Sequence, residues 1–261
     1  MIEIISKNKL EDLENYIRRK AMKILGIDSS GIVASAAIAD EKNIIAEFTV
    51  NNKQTHSQTL LPMIDMVVKM SGVKLEEVDA IAVAAGPGSF TGLRIGSSTA
   101  KGLGLALKKP IVPIPTLDGL AYRLAATDGI ICPIMDARRN QVYTAIYRME
   151  DGELRRLSEQ KAVDIHEIME ELEEYDEKVT FLGDGVDVHR QTIEDEFKGK
   201  CDFAPEHMAK QSAGAVAALG IVYFGQGKTE TAAEHKPIYL RKSQAERERE
   251  EKLKNEYTHN D

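Results

Sequence analysis

Apolar residues along this chain come in short runs separated by polar turns, and the runs switch between strand-like and helix-like spacing. Residues 23–27 are apolar, 28–31 are turn-like, and 33–39 are apolar again. The polar turn Asp40-Glu41-Lys42-Asn43 leads into a third run, 44–50, so three strands are predicted in succession. Ser57 is a good N-cap and opens a helix to about residue 70. A strand over 79–85, a glycine-rich turn over 86–92, a helix to about 107 and a strand over 111–114 follow. Thr116 and Asp118 open a helix predicted to end near 127.

A second round then begins. Residues 130–135 read as a strand ending in Asp136, 137–140 as a polar turn, and 141–149 as another strand. Asp151-Gly152 is a hairpin turn before a strand near 154–158. An acidic helix over 165–175, a strand over 179–182 and the turn Gly183-Asp184-Gly185 complete it. Each round opens with an apolar strand ending in aspartate, Asp28 in the first and Asp136 in the second, at a spacing near 108 residues. The pattern of elements predicts two related lobes from an internal duplication, with a hinge near 115–130.

The flanks differ from this body. Leu10, Leu13, Tyr16 and Ile17 make a short helical stripe among charges within 1–21, so the folded unit reads as starting at Met22. The run 213–225 is almost wholly apolar and therefore a buried helix. Residues 244–261 are rich in Glu, Arg and Lys and read as a solvated helical tail. The expected organisation is an extension over 1–21, a first lobe over 22–122, a second over 123–235, and a C-terminal segment over 236–261.

Composition narrows the function classes. With 261 residues, 43% hydrophobic and 29% charged, the chain has the make-up of a globular protein with a real core. Its formal net charge of −8 argues against a nonspecific grip on a nucleic-acid backbone. Cys132 and Cys201 form no CxxC pair, so neither a zinc ribbon nor a redox motif is suggested. No apolar stretch reaches the roughly 18–20 residues of a membrane span, and the N-terminus lacks the pattern of a signal peptide. A cytoplasmic protein is expected.

The residues that could carry chemistry sit at turns. Gly86, Gly88 and Gly92 lie between a buried strand and a helix start, where unsatisfied N–H groups attract anions. The spacing is neither the Walker pattern nor GxGxxG, so a phosphate site and a tight structural turn both fit. Asp28, Ser29 and Ser30 at the mouth of the first strand fit either a magnesium-phosphate contact or a plain Asx turn. Their second-lobe counterpart, Asp136-Ala137-Arg138-Arg139, holds two arginines where a compact cradle would have glycine. His56 has Leu60 four residues on, so the two-histidine metal pair is missing. Ser89 lacks the GxSxG context of a hydrolase nucleophile.

Helix 57–70 is apolar on two sides, with Leu60, Ile64, Val67 and Val68 on one and Met63, Met66 and Met70 on the other. Burying both needs a second layer, from this chain or a partner, and methionine adapts well to a partner. In the next helix Gly96, Ala100 and Gly104, spaced by four, form a ridge that permits close helix approach.

These stretches carry a resemblance. MKILGIDSS at 22–30, HSQTLLP at 56–62 and GPGSFTGLRIG at 86–96 resemble the TsaB family, also called YeaZ. TLDGLA at 116–121, DAR at 136–138 and PIYLR at 237–241 are similar to it as well. The similarity covers about 22–245. It implies an α/β fold of the actin-like, sugar-kinase-like ATPase superfold, with two related lobes, each a mixed sheet flanked by helices. It implies a non-catalytic subunit, without catalytic or metal-binding residues of its own. That subunit supports a TsaD-type catalytic partner in forming threonylcarbamoyladenosine at position 37 of tRNAs, alongside a TsaE-type ATPase. The docking surface implied comprises Leu60, Met63, Ile64, Met66, Val67, Met70, Gly96 and Ala100 on the first lobe, which also makes homodimers when the chain is alone. Contact with tRNA is implied only through the complex. No cofactor is expected, with weak ATP or ADP binding at Asp28, Ser29, Ser30, Gly86, Gly88 and Gly92 left open as a vestige. The alternative within the same superfold is a small-molecule kinase or ATPase.

Overall fold

A computed structural model describes residues 21–52 and 55–241; the helical stripe within 1–21 and the charged tail from 244 fall outside the described residues. The first lobe is built from β1 (Lys23–Asp28), β2 (Ala34–Asp40), β3 (Ile44–Val50), α1 (His56–Ser71), β4 (Ala80–Gly86), α2 (Phe90–Leu107) and β5 (Ile111–Pro115). Its sheet runs β3-β2-β1-β4-β5. β1 pairs antiparallel with β2, and β2 with β3, whereas β1, β4 and β5 are parallel. A short helix α3 (Thr116–Tyr122) then leads out of the lobe; it stops five residues before the expected end near 127.

The second lobe comprises β6 (Ile130–Arg138), β7 (Gln141–Thr144), β8 (Tyr147–Glu150), β9 (Glu153–Arg156) and β10 (Lys161–Asp164). It continues with α4 (Ile165–Leu172), β11 (Val179–Leu182), α5 (Gly185–Glu196) and β12 (Cys201–Phe203), and the chain returns through α6 (Ala213–Gly225). The sheet order is β10-β7-β6-β11-β12. β6 pairs antiparallel with β7 and β7 with β10, while β6, β11 and β12 are parallel. This repeats the first lobe strand for strand, so the duplication read from the two Asp-ended strands is real in three dimensions. The β8–β9 hairpin is an insertion on this plan. It also splits the single strand expected over 141–149: the chain keeps register along β6, with Thr144 opposite Ile134 and Tyr147 opposite Ile131. It breaks at Ala145-Ile146, where β7 passes to β10 and β8 to β9, and Ile146 N–H donates to Ser158 Oγ.

One boundary differs from expectation. Helix α6 packs on β1, β2, β4 and β5 of the first lobe, and Glu230 bridges to Ile111 on β5. Residues 213–235 therefore belong to the first lobe, not the second. The reason is that the β1, β4 and β5 strands of this mixed sheet are apolar on both faces and need cover on both. Leu25 and Ile27 face the α1–α2 layer, while Ile24, Ala82 and Val112 face the opposite way and need the apolar α6 over them. Gly26 permits this contact, since a Cβ there would lie 2.4 Å from Ala213 O.

Candidate functional site

Two places gather the residues singled out in the sequence: the cleft between the lobes and the outer face of α1 and α2. The cleft has a volume of about 550 Å³. Its first-lobe wall is the β1–β2 turn and the 86–92 turn; its second-lobe wall is the β6–β7 turn with Asp184 and Asp187.

Asp28 ends β1 fully buried, and its Oδ1 accepts from Ser30 N–H (2.9 Å) and Ser30 Oγ–H (2.6 Å), forming an Asx turn. Burial pushes its pKa from 3.8 to about 6, against the two Ser30 hydrogen bonds that lower it. Ser29 Oγ donates to Gly92 O (2.9 Å), and Ser89 N–H donates to Ser30 O (2.6 Å). The glycines answer to this same packing. A Cβ on Gly86 would lie 2.1 Å from Ile238 O, one on Gly88 2.3 Å from Ser30 O, and one on Gly92 2.0 Å from Ser29 O. The space above each glycine is thus filled by a carbonyl oxygen of the chain itself. Each glycine is therefore required by the close packing of this turn against the chain's own backbone.

The segment that follows residue 236 crosses the mouth of the cleft. Ile238 N–H donates to Ala85 O (2.7 Å), and Tyr239 stacks on Phe90 at 4.2 Å, with the Arg94 guanidinium 4.3 Å from the Phe90 centroid. Arg241 Nη1 then donates across to Ala137 O in the second lobe (2.5 Å). On that lobe Arg138, Arg139 and Asn140 take φ of 67°, 58° and 58°, left-handed values that shape the tight β6–β7 turn. Arg138 pairs with Asp136 (3.2 Å), and Asp136 N–H donates to Asp184 Oδ1 (3.2 Å). Burial pushes the Asp184 carboxyl above its ordinary range. Asp187 pairs with Lys210. This wall therefore mixes the carboxylates of Asp136, Asp184 and Asp187 with the Arg138 guanidinium. His56 is used structurally: its Nε2 lies 2.9 Å from Gly31 O, while Leu60 is in the core. Among the described residues no three His, Cys, Asp or Glu side chains converge as a metal-binding group.

The outer helical face corrects the expected docking set. Leu60, Met63, Ile64 and Val67 all point into the first-lobe core with Leu25 and Ile27. Gly96 and Ala100 also face inward; a Cβ on Gly96 would lie 2.5 Å from Ser29 Oγ. These six residues are inside the protomer and cannot meet a partner without unfolding it. Met66 (46% exposed) and Met70 (75%) are outside, in line with exposed Pro62 at i, i+4 spacing. On α2 the outward residues include Arg94, Ser98, Gly102 and Leu105, the last 63% exposed. Gly102 has no atom within 4 Å of an added Cβ, so an open small-residue stripe does exist, one face away from Gly96 and Ala100. The signal was present as the 62/66/70 and 98/102 spacings, masked by equally regular buried ones.

Two copies of one five-stranded plan, joined by a buried helix around a cleft, define the actin-like, sugar-kinase-like fold class. The family model described as "TsaD: tRNA N6-adenosine threonylcarbamoyltransferase" matches residues 43–249. The chain is 36% identical over 229 residues to the tRNA threonylcarbamoyladenosine biosynthesis protein TsaB of Bacillus subtilis, covering 86% of this chain and 96% of that one. It is 33% identical over 157 residues to the TsaB protein of Escherichia coli, 58% of this chain and 68% of that one. A solved Pseudomonas aeruginosa structure, described as similar to peptidase YeaZ, superposes with a TM-score of 0.73 at 26% identity, over 84% of this chain and 100% of that one. The chain belongs to the TsaB family of tRNA threonylcarbamoyladenosine biosynthesis proteins. No helix among the described residues is long and apolar enough to cross a membrane.

Proposed function

We propose that this chain is a non-catalytic, cytoplasmic subunit of the machinery that forms threonylcarbamoyladenosine at position 37 of tRNAs. It docks a TsaD-type catalytic subunit through the outer face of α1 and α2. A TsaE-type ATPase completes the assembly, tRNA is met through the complex, and the same face pairs two copies when the chain is alone. The observation that carries this reading is the exposed Met66–Met70 stripe on α1, on the same side of the sheet as the open Ser98–Gly102 stripe of α2. An adaptable apolar ridge beside small residues suits helix-to-helix docking. The non-catalytic part rests on the sequence: Leu60 stands where a second metal-binding histidine would, and Arg138 and Arg139 fill the turn where a compact phosphate cradle would have glycine.

Co-purification with the candidate TsaD-type subunit tests it. The wild-type chain forms a stable complex, and Met66→Asp weakens it while leaving thermal stability unchanged. A complex of undiminished affinity with Met66→Asp would remove α1 from the interface. The second reading, a small-molecule kinase or ATPase, is favoured by the 550 Å³ cleft alone. Metal-dependent ATP turnover by the isolated chain, abolished by Asp28→Ala, would select it; we expect negligible turnover and no cofactor requirement.

A further inference from the structure

Helix α3 is the joint between the lobes, and every residue from Thr116 to Ala121 is buried. Its apolar side, Leu117, Leu120 and Ala121, packs in one cluster with Ile131, Tyr147 and Leu182 of the second lobe. A carboxylate sits in the middle of this contact. Asp118 is 6% exposed, and its Oδ1 accepts from Tyr147 Oη–H (2.7 Å) and Gln160 Nε2–H (2.9 Å), both second-lobe groups. Its Oδ2 accepts from Tyr223 Oη–H (2.8 Å) on α6, which is part of the first lobe. The Arg156 guanidinium adds an ion pair at 3.6 Å. One buried anion therefore holds donors from both lobes at once. Swinging the lobes apart would break these hydrogen bonds together with the apolar contact around them.

A second tie is made by residues that line the cleft itself. The 237–241 segment is fastened to the first lobe by Ile238 N–H on Ala85 O and by the Tyr239–Phe90 stack, and to the second by Arg241 on Ala137 O. A body tied at both its hinge and its mouth has no free axis about which to open.

We infer that this chain fixes its own interlobe angle, with Asp118 as the positioning residue at the hinge and Arg241 as the latch at the mouth, whether or not a ligand occupies the cleft. The ties come from the chain's own side chains and backbone. The inference concerns the isolated chain and stands apart from its partner assignment.

The test is a distance distribution between spin labels on exposed Glu41→Cys in the first lobe and Glu174→Cys in the second. It uses the full chain in a Cys201→Ser background, with Cys132 buried. The expected result is one narrow distance population, unchanged by magnesium with ADP or with a non-hydrolysable ATP analogue. Asp118→Ala is expected to lose the single narrow population. Should Asp118→Ala fail to fold, Tyr223→Phe and Arg241→Ala, each deleting one tie without emptying the core, are expected to broaden it. A wild-type distribution with two populations, or one that shifts on adding nucleotide, overturns the inference. So does a distribution left unchanged by Tyr223→Phe and Arg241→Ala together.

Discussion

At neutral pH a carboxyl group as buried as Asp28 works against the fold. Its pKa rises from 3.8 to about 6 on folding, so the neutral acid favours the folded chain and the anion opposes it. Stability tied to this group is full below pH 3.8 and is lost as pH rises through about 6. A shift of that size corresponds to about 3 kcal/mol. Asp28→Asn keeps an acceptor for Ser30 and removes the charge. Thermal unfolding of this variant is therefore expected to show higher stability than wild type at pH 7 and a flatter profile between pH 4 and 6. The turn at Asp28 was legible in the sequence because Asp-Ser-Ser is a local motif. The role of Gly86, Gly88 and Gly92 was not. A glycine reports that something comes close, and only the fold shows that Ser29 O, Ser30 O and Ile238 O are what comes close. Gly92→Ala should accordingly destabilise the isolated chain, measured by denaturant midpoint, with no ligand present.

Among the elements, α1 was legible as a helix but not as an oriented one. Apolar residues recur on two faces, and Met63 fits either stripe by spacing; contact with the sheet selects 60, 63, 64 and 67. The two faces predict opposite outcomes. Leu60→Ala, 1% exposed, should cost about 2–5 kcal/mol of stability, read by urea unfolding. Met66→Asp should cost little stability and much docking. On α2, Gly102 has open space around it, so Gly102→Leu should stabilise the monomer by about 1 kcal/mol through helix propensity. The same side chain should weaken association with a partner helix, seen by titration calorimetry. Elements missed in the sequence are those with little apolar signal: β10 and β12 are four and three residues long, and α5 buries few side chains, Val186, His189 and Ile193 among them. Helix α6 was visible, but its address was not, because an all-apolar helix carries no mark of which sheet it covers.

For the molecule as a whole, the duplication was legible from two aspartate-ended strands 108 residues apart. Both sheets then proved to follow one order and one set of strand directions. The β8–β9 insertion and the return of 213–235 to the first lobe are long-range arrangements that no local pattern encodes. What the assembled chain offers is an exposed Met66–Met70 stripe on one lobe and an open cleft between the lobes, lined in part by its own 238–241 segment. The central claim is that such a chain serves tRNA modification without performing chemistry itself. Its most direct test is reconstitution of threonylcarbamoyladenosine formation with the candidate TsaD-type and TsaE-type partners, with and without this protein. The account predicts modification that requires this chain, survives Asp28→Ala and falls with Met66→Asp. Modification that proceeds equally well without the chain, or that is abolished by Asp28→Ala with the complex intact, would contradict it.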